Sequence, residues 1–388
     1  MIIEPKVRNN VCLSAHPVGC REEVQRQINY VRSQGSLKGP QNVLVIGSSA
    51  GYGLASRIVS AFVCGAKTIG VAFEKEGTAT RPASAGWYNT VAFDEAAKEA
   101  GLFSHSINGD AFSDEIKAET IQAIKENMGQ VDLVIYSLAS PVRTDPKDGL
   151  TYRSALKPRG QEYTAKSIDP FSGAVKEATI PPANEEEEAS TIKVMGGEDW
   201  QLWLKALKEA GVLAEGVTTV AYSYIGPDVT RAIYREGTIG KAKEHLEATA
   251  ATLTRDLAEV KGKAYVSVNK ALVTRASAVI PVVSLYISIL YKIMKKMNLH
   301  EGCIEQIDRL YRERLYTGSD VPVDSQGLIR IDDWELRDDV QAAVMEAWDK
   351  VDNDNLAQWT DLEGFKEEFL RLHGFAVPGV DYTQDVEP

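Results

Sequence analysis

Short apolar runs, punctuated by glycine and separated by amphipathic stretches, fill the first two-thirds of the chain. Asn42–Ile46 is one such run, closed by Gly47, and residues 52–64 after it suit a helix. Residues 68–73 form a second run, ending in Glu74, and 131–136 and 217–222 are two more. None keeps a strict polar–apolar alternation, so both faces of each strand need cover, which the helical stretches 114–127 and 200–210 supply. Strands of this kind separated by helices predict an α/β fold with a doubly wound parallel sheet.

Residues 141–190 break the rhythm. They are rich in Pro, Gly, Lys and Thr and end in the acidic run 185–188, so they read as an insertion with short strands over one edge of the sheet. The acidic run suits a solvated first helical turn, where negative charge complements the dipole. Residues 276–291 are uncharged, but they number only 16 and contain Pro281. A membrane span needs about 20 apolar residues, so a buried helix or pocket wall is the better expectation. Beyond residue 300 the chain is amphipathic and acidic, as in 334–348, and predicts additional packing helices. No internal repeat or linker divides the 388 residues, which implies a single enlarged domain.

Composition narrows the function. Lys and Arg number 43 against 55 Asp and Glu, a net charge of −12, and 44% of residues are hydrophobic. The core is ample, and the acidic balance argues against a nucleic-acid partner. Cys12, Cys20, Cys64 and Cys303 are too scattered for a disulfide framework, and the five histidines lack metal-site spacing, so no metal is expected. The start of the chain has no apolar leader, and a cytoplasmic location is expected.

The first candidate chemistry is the turn from Gly47 through Gly51 to Gly53, placed between a strand and a helix. Glycines permit positive φ and close backbone approach, and a helix N-terminus offers free N–H groups to a pyrophosphate. The competing reading is a tight structural turn. Glu74 at the end of the second strand is placed to accept hydrogen bonds from adenosine ribose hydroxyls and to repel a 2′-phosphate, which favours NADH over NADPH. Lys75 beside it could offset that repulsion, and a solvated loop charge is the alternative. Asp110 and Ala111 suit the adenine end, and Leu138 and Ala139 the nicotinamide-ribose end; each pair could equally be only a strand end.

The 217–225 strand ends in Tyr224, where doubly wound sheets meet their ligands. Tyr234 follows, with Lys241 and Lys243 competing to partner it. Thr238 reads as the N-cap of a helix whose buried face is Ile239, Ala242, Leu246, Ala250, Leu253 and Leu257. At roughly 100° per residue, Lys243 lies about 55° from the centre of that face and Lys241 about 145°. Lys243 therefore points inward, where its charge would lower the phenol pKa and its ammonium could hydrogen-bond a ribose. A lysine snorkelling along the helix flank is the bland alternative. Tyr291 and Lys295 match a Y-x3-K pair but come too late in the chain for that role.

Taken together the residues resemble the trans-2-enoyl-CoA reductases and the related long-type bacterial enoyl-acyl-carrier-protein reductases. The resemblance spans essentially the whole chain: HPVGC at 16–20, the 47–53 turn, GWYN at 86–89, NGDAF at 108–112, YSLAS at 136–140, VMGGEDW at 194–200, the Tyr234/Lys243 spacing, ALVT at 271–274 and HEGCIEQ at 300–306. It implies a Rossmann-type, enlarged short-chain-dehydrogenase-like fold that reduces trans-2-enoyl thioesters with NADH. Tyr234 would be the catalytic proton donor and Tyr224 the contact to the substrate carbonyl. The cofactor would be held by Gly47, Ser48, Ser49, Ala50, Gly51, Tyr52, Gly53, Phe73, Glu74, Asp110, Ala111, Leu138, Ala139, Lys243, Leu272, Val273 and Thr274. Residues 276–291 would line the acyl pocket within a helical region at 275–325. The resemblance also implies a monomer. The acidic net charge favours coenzyme A over an acidic carrier protein as thioester carrier, with the carrier protein as the alternative. A carbonyl-reducing short-chain dehydrogenase and a non-catalytic NADH sensor are the competing classes.

Overall fold

The computed structural model describes every residue of the chain except Asn9, Ala276 and Pro281. Seven strands form the central sheet: β1 (Asn42–Ile46), β2 (Lys67–Ala72), β3 (Ser104–Asn108), β4 (Val131–Tyr136), β5 (Leu213–Ser223), β6 (Lys263–Val268) and β7 (Ile329–Arg330). Their spatial order is β7-β6-β5-β4-β1-β2-β3, with every neighbouring pair parallel. The order reverses between β1 and β4, so the crevice for a ligand lies at the carboxyl ends of these two strands.

Among the described residues, twelve α-helices accompany the sheet: α1 (Pro17–Ser33), α2 (Gly51–Phe62), α3 (Ala85–Glu99), α4 (Asp114–Asn127), α5 (Glu185–Met195), α6 (Glu198–Glu209), α7 (Thr238–Asp256), α8 (Val283–Lys296), α9 (Cys303–Leu310), α10 (Asp338–Lys350), α11 (Leu356–Trp359) and α12 (Leu362–Arg371). Successive β1 side chains face opposite layers. Leu44 and Ile46 pack with Ile124 of α4, Trp203 of α6 and Leu246 of α7. Val43 and Val45 pack with Ile28 of α1, Ile58 of α2, Phe93 of α3 and Ile307 of α9. This double cover explains the unalternated apolar runs. A third apolar cluster joins α8 to α10 and α12 through Leu285, Ile289, Val344, Phe365 and Phe369.

The 141–190 segment departs from expectation. It holds two antiparallel hairpins, Val142–Thr144 with Thr151–Arg153 and Tyr163–Asp169 with Ala174–Ile180, and neither joins the main sheet. The second hairpin packs against α8, burying Ile168 in its cluster, while Lys166 Nζ donates to the Trp348, Asp349 and Val351 carbonyls at the end of α10. Both sheet edges carry parallel strands of their own, and the hairpin packs Ile168, Tyr163, Val175 and Ile180 on the helical cluster. The acidic run opens α5 as expected, with Asn184 and Glu187 forming a reciprocal cap. The helix expected over 334–348 begins at Asp338. Among the described residues, no helix is long and apolar enough to cross a membrane.

Candidate active site

The glycine turn follows β1 directly and faces the end of β4. Gly47 has φ +87°, and a Cβ there would press into the Ser137 carbonyl; a Cβ on Gly53 would overlap the Gly47 carbonyl oxygen. Gly51, at φ +55°, has nothing within 4 Å of where its Cβ would stand. Behind this tight turn α2 begins at Gly51 with Ala50 as N-cap and no side-chain cap, leaving its first N–H groups free. Free donors, positive dipole potential and a cradle that Cβ atoms would fill fit a pyrophosphate. The Tyr52 hydroxyl lies 3.0 Å from both the Lys270 carbonyl and Gln306 Oε1, bracing the segment after β6.

Glu74 stands just beyond β2, with its side chain nearly buried. Its Oε1 accepts from Ser49 Oγ at 2.7 Å and from Arg275 Nη1 at 2.9 Å. Gly86 makes room for it, since a Cβ there would overlap the carboxylate. Asn108 at the end of β3 brackets the Glu74 backbone, accepting from its N–H and donating to its carbonyl. Phe73 lies open beside it at 75% exposure. Asp110 closes a turn by accepting the Phe112 N–H, and the Ala111 carbonyl receives Trp203 Nε1 and the buried Lys117 Nζ. Leu138 is half-buried and Ala139 exposed just past β4.

At the end of β5, Tyr224 and Tyr234 meet edge to face with ring centroids 4.7 Å apart. Tyr224 donates to Glu335 Oε1 at 3.0 Å, whereas Tyr234 is buried and its Oη makes no hydrogen bond among the described residues. Lys243 points inward and donates to the Tyr222 carbonyl at 3.1 Å, while Lys241 turns outward onto Glu244 at 2.6 Å. The helix-face argument therefore separates the two lysines in the right sense. Its N-cap detail is corrected: α7 starts at Thr238 with Gly237 at the cap, because Thr238 Oγ1 donates to the Ala155 carbonyl instead.

The expected acidification of Tyr234 is also overturned. Burial first, and the Glu335 charge second, push its pKa above the usual phenol value, and Lys243 does not contact it. Burial brings the Lys243 pKa down to about 8, opposed by Glu247. Leu272 and Val273 are buried, and Thr274 donates its N–H to Ser277 Oγ at 2.9 Å. The late Y-x3-K pair is structural: Tyr291 Oη donates to Glu368 and receives the Val273 N–H, and Lys295 pairs with Asp361.

Sequence reasoning missed Glu335, Tyr286 and Arg275. Glu335 is one carboxylate in an acidic stretch with no motif spacing, and only the fold brings it to β5. Arg275 carried a faint signal, as the last charge before the uncharged segment. Among the described residues, no group of three or more His, Cys, Asp or Glu is arranged to hold a metal ion.

Fold and glycine turn together define a dinucleotide-binding α/β protein, with a pair of tyrosines at the carboxyl end of β5. Three family profiles cover the chain: the NAD(P)H binding domain of trans-2-enoyl-CoA reductase at residues 2–79, the trans-2-enoyl-CoA reductase catalytic region at 81–316, and an enoyl reductase FAD binding domain at 323–386. An enoyl-[acyl-carrier-protein] reductase [NADH] of Cytophaga hutchinsonii is 62% identical, covering 100% of this chain and 98% of its own. A trans-2-enoyl-CoA reductase [NADH] of Ruminiclostridium cellulolyticum is 54% identical, with the same coverage. The crystal structure of Treponema denticola trans-2-enoyl-CoA reductase in complex with NAD matches with TM-score 0.97 and 56% identity, over 100% of this chain and 98% of that one. The chain belongs to the trans-2-enoyl-CoA reductase family.

A flavin does not fit residues 323–386. α10 opens on Asp338 and Asp339, and α12 is capped by Asp361 with Glu363 in its first turn, so both longer helices there present negative charge where a pyrophosphate would need positive potential. The apolar faces of that segment are already spent on α8.

Proposed function

We propose that the chain catalyses NADH-dependent reduction of the trans-2 double bond of enoyl thioesters. The observation that carries this is the Tyr234 phenol, without a hydrogen bond among the described residues, beside Tyr224 at the carboxyl edge of the sheet that also bears the glycine turn, with Lys243 of α7 reaching the Tyr222 carbonyl nearby. NADH, when bound, supplies the hydride for the β-carbon. The 47–53 turn binds the pyrophosphate, Glu74 accepts the adenosine ribose hydroxyls, and Phe73 with Asp110 and Ala111 borders the adenine. Lys243, Leu138, Ala139 and the 272–274 segment orient the nicotinamide ribose. Tyr234 donates a hydrogen bond to the thioester oxygen, where enolate charge develops, stabilising the transition state more than the ground state. The α-carbon then takes a proton from Tyr234 or water. The apolar flank of α8 borders the acyl chain.

The test is NADH oxidation with crotonyl-CoA, monitored spectrophotometrically; a chain that leaves NADH unconsumed across short and long enoyl thioesters refutes the proposal. A second reading makes acyl carrier protein the main carrier, favoured by the printed name of the 62% identical relative. Our reading keeps coenzyme A because the net charge of −12 disfavours an acidic carrier. Rates with the same acyl group on both carriers separate the two. The reading includes a monomer in the cytoplasm, a reducing compartment that suits four cysteines all present as free thiols.

A further inference from the structure

Glu335 is fully buried, just before α10, yet it reaches into the centre formed by β5 and α8. Three donors converge on it. Oε1 accepts from Tyr224 Oη at 3.0 Å and from Tyr286 Oη at 2.6 Å, and Oε2 accepts from the Ala271 N–H at 2.7 Å. Gln341 Nε2 donates to Tyr286 Oη at 3.3 Å, which leaves the hydrogen of Tyr286 for the carboxylate. Tyr224 has a single hydroxyl hydrogen, and both Glu335 oxygens act as acceptors here, Oε1 for the two phenols and Oε2 for the Ala271 N–H. That hydrogen is directed at Glu335, while Tyr234, 4.7 Å away ring to ring, makes no hydroxyl hydrogen bond among the described residues.

We propose that Glu335 is the positioning residue of the centre: it holds Tyr224 as a hydrogen-bonded wall, so that Tyr234 is the phenol donor to the thioester oxygen. The same carboxylate ties this wall to Ala271, the residue before the 272–274 segment, and to Tyr286 on α8. One buried side chain thus registers three parts of the site: the tyrosine pair, the cofactor strand end and the pocket helix. Tyr224 takes its part through its ring and its link to Glu335, and its hydroxyl is not a donor to substrate. The inference rests on the enoyl-thioester reading for its kinetic arm only.

Two variants separate the roles. Glu335→Gln keeps the shape and an oxygen for the Ala271 N–H, but its amide donates to the phenols and turns the Tyr224 hydrogen into the pocket. Glu335→Leu removes both functions. The expected result is a kcat for Glu335→Gln at least tenfold below that of the unmutated chain, with KM for NADH within twofold. Glu335→Leu should in addition weaken NADH binding at least fivefold in a fluorescence titration. In a Tyr224→Phe background, Glu335→Gln should lower kcat no further, since it acts through that hydroxyl. Unchanged kcat in Glu335→Gln, or a full additional loss on top of Tyr224→Phe, overturns the proposal. A chain inactive on every thioester refutes the substrate reading instead, and the titration still decides the link to the cofactor strand: unchanged NADH affinity in Glu335→Leu overturns it.

Discussion

Replacing Glu74 by serine should relax the preference for NADH over NADPH, and the geometry sets how far. A 2′-phosphate carries about −1.5 to −2 charges. At about 5 Å from the carboxylate, in a medium of effective dielectric about 20, it meets a gross repulsion on the order of 5–7 kcal/mol. Arg275 stands 2.9 Å from the same carboxylate and cancels much of that, although its own side chain is 44% exposed and screened. The net discrimination is then about 1–3 kcal/mol, or roughly 5- to 150-fold in relative affinity. Glu74→Ser should raise the ratio of kcat/KM for NADPH to that for NADH by this factor. It should also weaken NADH about tenfold, since each lost charge-assisted hydrogen bond to ribose is worth about 1.5–3 kcal/mol. Arg275→Ala moves the ratio the other way, because the carboxylate then repels without a partner. The assay is the kcat/KM of each cofactor at fixed enoyl thioester and low salt, repeated at high salt, where the Arg275 effect should shrink. An unaltered ratio in Glu74→Ser, or improved NADPH use in Arg275→Ala, would refute the electrostatic reasoning.

Further outcomes are expected at Tyr234, Lys243 and the glycine turn. Tyr234→Phe should lower kcat about 100- to 1,000-fold, the loss of one donor worth about 2.7–4 kcal/mol, while NADH affinity measured by fluorescence stays the same. Lys243 sheds its proton as pH rises through about 8, so KM for NADH should climb on the alkaline side. Lys243→Arg should abolish that limb and Lys243→Met should show the high KM at every pH. Because the folded pKa of Lys243 lies below its unfolded value near 10.4, its protonation opposes folding. Chemical denaturation should accordingly find this one contribution rising between about pH 8 and 10.4 and absent in Lys243→Met. Gly53→Ala should abolish dinucleotide binding through its clash with the Gly47 carbonyl. Gly51→Ala, with open space around it, should cost only the roughly 1–2 kcal/mol of left-handed backbone, read as a modest drop in melting temperature.

Much of the fold was legible because its signals are local. β1 and β4 are buried on both faces, so their residues read as apolar runs, and the turn between β1 and α2 needs glycine wherever a Cβ has no room. The choice of Lys243 over Lys241 was legible for the same reason, since helical period alone fixes which side chain turns inward. The placement of the 163–180 hairpin was not. Its strands half-alternate, as an edge ribbon would, and only α8, more than a hundred residues later, decides where they pack. The rise in the Tyr234 pKa was equally hidden, because it depends on burial by the whole third cluster and on a carboxylate from residue 335.

That carboxylate gives the C-terminal segment its place in the argument. Residues 323–386 add β7 to the sheet edge, clasp α8 with α10 and α12, and deliver Glu335 into the centre. A segment with these duties needs acidic helix starts facing solvent and apolar faces turned inward. A pyrophosphate site needs the reverse at its helix N-terminus, an uncapped start such as that of α2. Negative charge at the start of α10 stabilises that helix in place, and α10 in turn holds Gln341 against Tyr286 and leaves Glu335 buried among donors. The brace and the dinucleotide cradle therefore use the same helix-terminus physics with opposite sign, and the brace reaches the end of β6 through the Ala271 N–H on Glu335.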